Sequence, residues 1–154
     1  MCTIVKPSDS PVILKEDLTC YKFVKLVAPN IVKSYYFGII SFSIPRYFNT
    51  AMTRSFSKPI NECYAFSPSE KMAYIDAVCQ YDAVEVLEGF HSFLNYNDCS
   101  REAHDISEFN VIPIAVCECV IPKGSEVIYG YINNVVSNAI YYKEIINVYN
   151  NSTE

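Results

Sequence analysis

The clearest alternation of hydrophobic and polar positions lies at 111–121. There Ile114, Val116, Glu118 and Val120 fall on one face and Ala115, Cys117, Cys119 and Ile121 on the other. A period of two is the signature of a strand. Residues 19–27 are rich in strand formers and predict the first core strand, ended by Pro29-Asn30. Residues 35–42 predict a second strand, with Gly38 marking a bulge or a close approach. A short strand is expected at 63–66, and others at 83–87, 126–131 and 135–148. Between the last strands, Pro122-Lys123-Gly124-Ser125 is turn chemistry.

Two places break this rhythm toward helix. Ser67-Pro68-Ser69-Glu70 has a cap, a first-turn proline and a capping-box acid, and Met72, Ile75 and Cys79 then share a helical face down to about Tyr81 or Asp82. Asn95-Tyr96-Asn97-Asp98 offers caps for a short helix over 98–106. Residues 43–59, bracketed by prolines and studded with Ser, Thr and Arg, predict a loop or short-helix excursion. Residues 1–18 predict an irregular lead-in, 19–149 a single domain and 150–154 a frayed tail. The expected class is α+β: a mostly antiparallel sheet of about six to seven strands with about two short helices.

Composition narrows the function classes. Hydrophobic residues make up 51% of the 154-residue chain and charged residues 19%, enough for an ordinary folded core and too apolar for disorder. No apolar run approaches the roughly 20 residues of a membrane helix, and the first residues lack a signal peptide's apolar stretch, so a cytoplasmic protein with no membrane partner is expected. The seven cysteines contain no C-x-x-C pair. They predict buried small hydrophobes in a reducing compartment. The one zinc set worth naming, Cys117, Cys119 and His91, lacks the tight ligand pairs such sites show, so no metal or cofactor is expected.

The net charge of −5 hides an uneven layout: residues 18–61 hold six bases and no acid, and everything from Glu62 onward holds fourteen acids and four bases. A cationic stretch in an acidic protein can attract an anion, or can be neutralised across the fold. An acidic balance and sparse cations make nucleic acid an unlikely partner. No glycine-rich phosphate cradle, H-E-x-x-H or G-x-S-x-G motif is present. Pairing Cys99 or Cys79 with His91 is the available nucleophile–base arrangement. Glu85 and Glu88 read as a solvated face. The candidate ligand contacts are the cations Lys22, Arg46, Arg54 and Lys58, with Tyr21, Tyr47, His91 and Ser92 as ring or hydrogen-bonding partners. The segment Glu88-Gly89-Phe90-His91-Ser92-Phe93 holds one of four glycines and one of two histidines, and it reads as a structural corner lining a binding cleft.

Four stretches carry a resemblance: Leu18-Thr19-Cys20-Tyr21-Lys22, Glu88-Gly89-Phe90-His91-Ser92-Phe93, Ile121-Pro122-Lys123-Gly124-Ser125-Glu126 and Val136-Ser137-Asn138. In these the chain resembles small accessory proteins of tailed gut phages, which implies a viral protein acting in a host cytoplasm. The same landmarks are more loosely similar to the ADP-ribosyltransferase layout. Tyr21-Lys22 would take its first position, Phe90-His91-Ser92-Phe93 its second, Ile121-Pro122-Lys123-Gly124 its third and Ser137-Asn138 its fourth. Lys22 stands where that family has Arg or His, one hydroxyl of its Ser-Thr-Ser remains, and Glu144 comes several residues late for its catalytic acid. Three functions follow as expectations: a non-catalytic binding module for a host protein or an anionic or nucleotide ligand, a degenerate transferase-like enzyme, and a structural or assembly protein, in which case a homo-oligomer.

Overall fold

The computed structural model describes residues 11–35, 40–50, 89–130 and 133–151, and the backbone path of 3–5, 53–56 and 84–88. Its strands are β1 (Thr3–Val5), β2 (Val12–Ile13), β3 (Leu18–Ala28), β4 (Ile31–Ser34), β5 (Ser41–Ser43), β6 (Arg46–Asn49), β7 (Thr53–Phe56), β8 (Val84–Glu88), β9 (Phe90–Phe93), β10 (Ile114–Ile121), β11 (Glu126–Tyr129), β12 (Asn134–Ser137) and β13 (Ala139–Tyr149). A single helix, α1 (Tyr96–Ser107), lies among the described residues. A ten-stranded sheet runs β2-β11-β12-β9-β3-β10-β13-β6, with β4 and β5 branching from β3, and β1-β8-β7 form a second, three-stranded sheet. Every pairing is antiparallel.

The centre is β10. It is paired on one edge with β3, from Ile114–Lys25 to Ile121–Leu18, and on the other with β13. Both of its faces are covered. Ala115, Cys117, Cys119 and Ile121 join Cys20, Val24, Val32, Phe42, Val127, Val135, Ile140 and Tyr142 in an inner core. Ile114 and Val116 join Phe23, Phe93, Cys99 and Ala103 in an outer core beneath α1. A strand buried on both sides needs apolar residues at nearly every place, and Ile-Ala-Val-Cys-Glu-Cys-Val-Ile supplies them. Glu118 is the exception, and Lys143 Nζ stands 3.2 Å from its carboxylate.

The sheet is strongly curved around the inner core. Phe42 on β5 meets Phe48 on β6 with ring centroids 4.8 Å apart and Tyr142 on β13 at 5.0 Å, so the β4–β5 branch folds back onto the opposite edge. Two bulges in β13, between Val116/Cys117 and between Glu118/Cys119 of its partner, add to the bend. They also shift the alternation. Tyr142 and Ile145 are inward although three residues apart, while Tyr149 packs on the outer side.

The helix docks through caps and hydroxyls. The Asn95 side chain accepts the Asn97 N–H at 2.7 Å, and Arg101 pairs with Asp98 at 3.0 Å. Cys99, Ala103 and Ser107, four apart, form its buried seam. At the rim, the Ser100 and Tyr149 hydroxyls hydrogen-bond, and Asn147 donates to the Tyr96 hydroxyl at 3.0 Å.

The α+β, mostly antiparallel expectation therefore holds, but strands number thirteen among the described residues, not six to seven. Residues 43–59, expected as loop or short helix, carry β6 and β7. Pro45 parts β5 from β6 without preventing either. β6 gains backbone partners from β13 and sinks Phe48 into the inner core. Residues 135–148 are two strands, parted at Asn138, whose backbone bonds Thr50 and Glu126. Asn30 at φ 58° turns the chain at Pro29-Asn30 into β4, which the sequence reading passed over. β1 and β2 lie within the first eighteen residues. The corner at Phe90–Phe93 is a strand, β9, entered through Gly89 at φ 130°. The helix from Ser67, the strand at 63–66 and Gly38 lie outside the described residues. Among those described, no helix is long and apolar enough to cross a membrane.

Two substitutions test this packing. Ile114→Ala, in a fully buried position at the centre of the outer core, is expected to cost about 2–5 kcal/mol in urea-melt stability. Gly124 sits at φ 89° in the Pro122–Ser125 turn with open space where a Cβ would go. Gly124→Ala should cost about 1–2 kcal/mol from backbone strain alone, whereas Gly124→Asn should recover much of the loss; equal penalties for both would contradict this account.

Candidate functional site

The period of two divides the residues that the sequence suggested as ligand contacts. On β3, Tyr21 faces outward and meets Tyr96 of α1 edge-on at 5.7 Å, while its neighbour Lys22 lies on the inner face between Cys20 and Val24. On β9, His91 and Phe93 share the outer face, and Ser92 is fully buried on the inner one. On β6, the Arg46 guanidinium lies 5.1 Å over the Phe48 ring, and Tyr47, 52% exposed, faces the other way. Arg54 belongs to β7 in the three-stranded sheet, and Lys58 lies outside the described residues. Lys22 and Ser92 are thus brought together, with the His91 backbone; Tyr21, Arg46 and Tyr47 are not part of that group.

The inner group is compact. Lys22 Nζ donates to the His91 carbonyl at 2.6 Å, across a seam where β3 and β9 share a single ladder pair, Tyr21 with Phe93. The amine thus reaches across the seam to a backbone acceptor on the next strand. Lys22 pairs in register with Cys117, and Cys20 with Cys119, so one ammonium sits among three thiols. Burial holds the Lys22 pKa below its usual value. Burial pushes the Cys117 thiol up to about 12 and raises Cys119 as well. Cys20 goes the other way: hydrogen bonding from the Cys119 thiol outweighs burial, with help from Ser92 and the Lys22 charge. The buried Ser92 hydroxyl has no well-formed hydrogen bond, the weakly bonding Cys20 thiol being its neighbour.

These facts weigh against the other chemistries considered. Cys117 and Cys119 face inward and His91 outward, and among the described residues no group of three His, Cys, Asp or Glu side chains is placed to hold a metal. Burial raises the Cys99 thiol, and burial with the Lys22 charge lowers His91 to about 3, so neither takes the charged form a thiolate–imidazolium pair needs. Cys79 lies outside the described residues.

A second feature is open to solvent. A groove of about 400 Å³ is lined by Tyr47, Asn49 and Thr50 at the end of β6, by Pro122 to Ser125 in the β10–β11 turn, and by Asn138 and Ala139 where β12 passes to β13. The turn that builds it is locked from several sides. Gly124 N–H donates to the Leu14 carbonyl at 2.9 Å, Ser125 N–H to Pro122 at 3.1 Å, and Lys123 N–H to the Asp17 carboxylate at 2.8 Å. Thr50 N–H donates to the Asn138 carbonyl at 2.7 Å. Asn138 Oδ1 accepts the Glu126 N–H at 2.9 Å, which leaves its amide hydrogens for the groove. No acid lines the groove, and the Lys123 ammonium forms no ion pair among the described residues.

No family model, no curated protein and no solved structure matches this chain.

Of the groove residues, sequence reasoning selected Tyr47 and missed Asn49, Thr50, Lys123, Ser125 and Asn138. The only signals for them were the turn at 122–125 and a polar Ser-Asn pair inside an otherwise β-rich run. Neither says that two distant turns meet.

His91 gives a pH test. Its pKa is about 3 in the folded chain against 6.5 unfolded, so the unfolded state binds the extra proton between those values. The stabilisation is fully present above pH 6.5 and is lost as pH falls toward 3, at roughly 1.4 kcal/mol per pH unit. Urea melts at pH 7.5 and pH 5 should therefore show the native chain losing about 2 kcal/mol more than His91→Gln; parallel losses would refute a buried neutral imidazole.

Proposed function

We propose that this protein is a non-catalytic binding module that takes a nucleotide-like anion in the Tyr47–Lys123 groove. The observation that carries the reading is the groove itself. It offers a half-exposed ring for stacking, amide and hydroxyl groups and a cation, with no carboxylate among its described lining residues. A base against Tyr47, polar atoms toward Asn49, Thr50, Ser125 and Asn138, and a phosphate at Lys123 use each group for what it does best. A volume of about 400 Å³ lies within the range of small-ligand sites. Asp17 and Glu126 stand just outside the lining and limit how much negative charge is welcome. The likeness to gut-phage accessory proteins supports a setting in the cytoplasm of an infected cell, where a nucleotide signal or a nucleotide-bearing host protein is the partner.

The transferase-like fold and activity form the second reading. It is supported by the order of β3, then β9 followed directly by α1, then β10 ending in Pro122-Lys123-Gly124. Against an active transferase, Lys22 and Ser92 face the inner core, and Glu144 stands opposite Glu118 on the outer face. That leaves the groups of such a site on different sides of one sheet.

Thermal-shift measurements against mono- and dinucleotides and cyclic dinucleotides are the test. At least one should raise the melting temperature, and Lys123→Ala or Tyr47→Ala should weaken its binding about tenfold or more, the 1.4 kcal/mol of one charge-assisted or stacking contact. A flat response across the panel, or binding indifferent to both substitutions, would dispose of the groove as the ligand site. Labelled NAD turned over by the purified chain would favour the transferase reading instead.

A further inference from the structure

We propose that Cys20 and Cys119 are an oxidation site, at which a hydroperoxide joins two facing core thiols into a cross-strand disulfide. The inference is independent of the groove. Cys20 and Cys119 are direct partners in the β3–β10 ladder, both are fully buried, and both belong to the inner core. Opposite residues of an antiparallel pair have Cα atoms about 4.5 or 5.5 Å apart, and both spacings lie in the range a disulfide spans. The Cys119 side chain is also the largest influence that holds the Cys20 thiol below its ordinary pKa. Cys117, two residues along the same strand from Cys119, is about 7 Å away by strand rise and is the poorer partner. It faces Lys22 instead.

The surroundings of the pair differ from those of a cysteine that merely fills space. The Lys22 ammonium and the buried Ser92 hydroxyl share its face of the sheet, and both stabilise a thiolate on Cys20. Cys119 remains a thiol, with its Sγ 3.8 Å from the Cys117 carbonyl. This division assigns the steps. The Cys20 thiolate attacks one oxygen of hydrogen peroxide; with one proton taken up, the O–O bond breaks, water leaves and Cys20 becomes a sulfenic acid. The Cys119 sulfur then attacks the Cys20 sulfur, its proton and the sulfenic hydroxyl leave as a second water, and the disulfide forms. Peroxide is reduced to two waters and two thiols are oxidised, so no other reactant is needed.

The test is peptide mapping of the full chain after hydrogen peroxide under native conditions, with the remaining thiols alkylated before digestion. A linked peptide pair carrying Cys20 and Cys119, released by dithiothreitol, is expected. In Cys119→Ser a sulfenic acid should be trapped by a 1,3-dione at Cys20. Lys22→Gln with a native-like circular dichroism spectrum should oxidise more slowly, because the ammonium favours the Cys20 thiolate. Should a variant fail to fold, mapping of the unsubstituted chain decides alone. The proposal is overturned if Cys20 and Cys119 stay reduced while the chain remains folded, if Cys117 is the linked partner, if the link forms only in urea, or if the folded Lys22→Gln chain oxidises at the native rate.

Discussion

Everything described in this protein hangs on β10 being paired along both edges and buried on both faces. Eight consecutive residues must satisfy two ladders, an inner core and the underside of α1 at once. The only acid among them, Glu118, lies opposite Tyr21 on one side and Glu144 on the other. Two like charges directly across a ladder repel. The bulge that puts Lys143 within 3.2 Å of Glu118 relieves that repulsion and bends β13 at the same place. Curvature and charge compensation are therefore one local solution. The curved sheet that results lets Phe42 and Phe48 meet across its ends.

Curvature also decides where chemistry can occur. Wrapping the sheet encloses Lys22, Cys20, Cys117, Cys119 and Ser92 and denies them to any large ligand. It also draws the β6 end to the β10–β11 turn and the β12–β13 junction, which lie about 70 or more residues further along the chain. The open groove and the closed polar interior are two products of one bend. The interior lysine survives there because its ammonium donates to the His91 carbonyl, at the seam where β3 and β9 share one ladder pair.

Strands with a single strong period were legible in the chain. The faces of 114–121 were assigned correctly from alternation alone, and α1 followed from Asn95 and Asp98. Less legible were strands whose identity depends on a partner. β6 is a strand because β13 offers an edge, and nothing within Arg46-Tyr47-Phe48-Asn49 announces that edge. The run at 135–148 could not reveal its break, since β propensity is high on both sides of Asn138 and the bulges in β13 upset the alternation by which a face would be recognised. Of the suggested contacts, Tyr47 lines the groove. Lys22 and His91 were noticed for their type, but adjacent places on a strand, or a backbone rather than a side-chain contact, separate them from a common cleft.

By itself the sequence determined the class of structure: short antiparallel strands, the helix cap at Asn95, a core holding several cysteines and no metal-ligand spacing. Those are local or compositional properties, set by periodicity, capping and residue type over a few neighbours. Only the tertiary structure decided which side chains share a face, which thiols stand opposite each other and which turns enclose a groove. Register, bulges and sheet curvature fix those, and each is settled by partners far away in the chain. Cys20 and Cys119 are 99 positions apart and yet directly opposed.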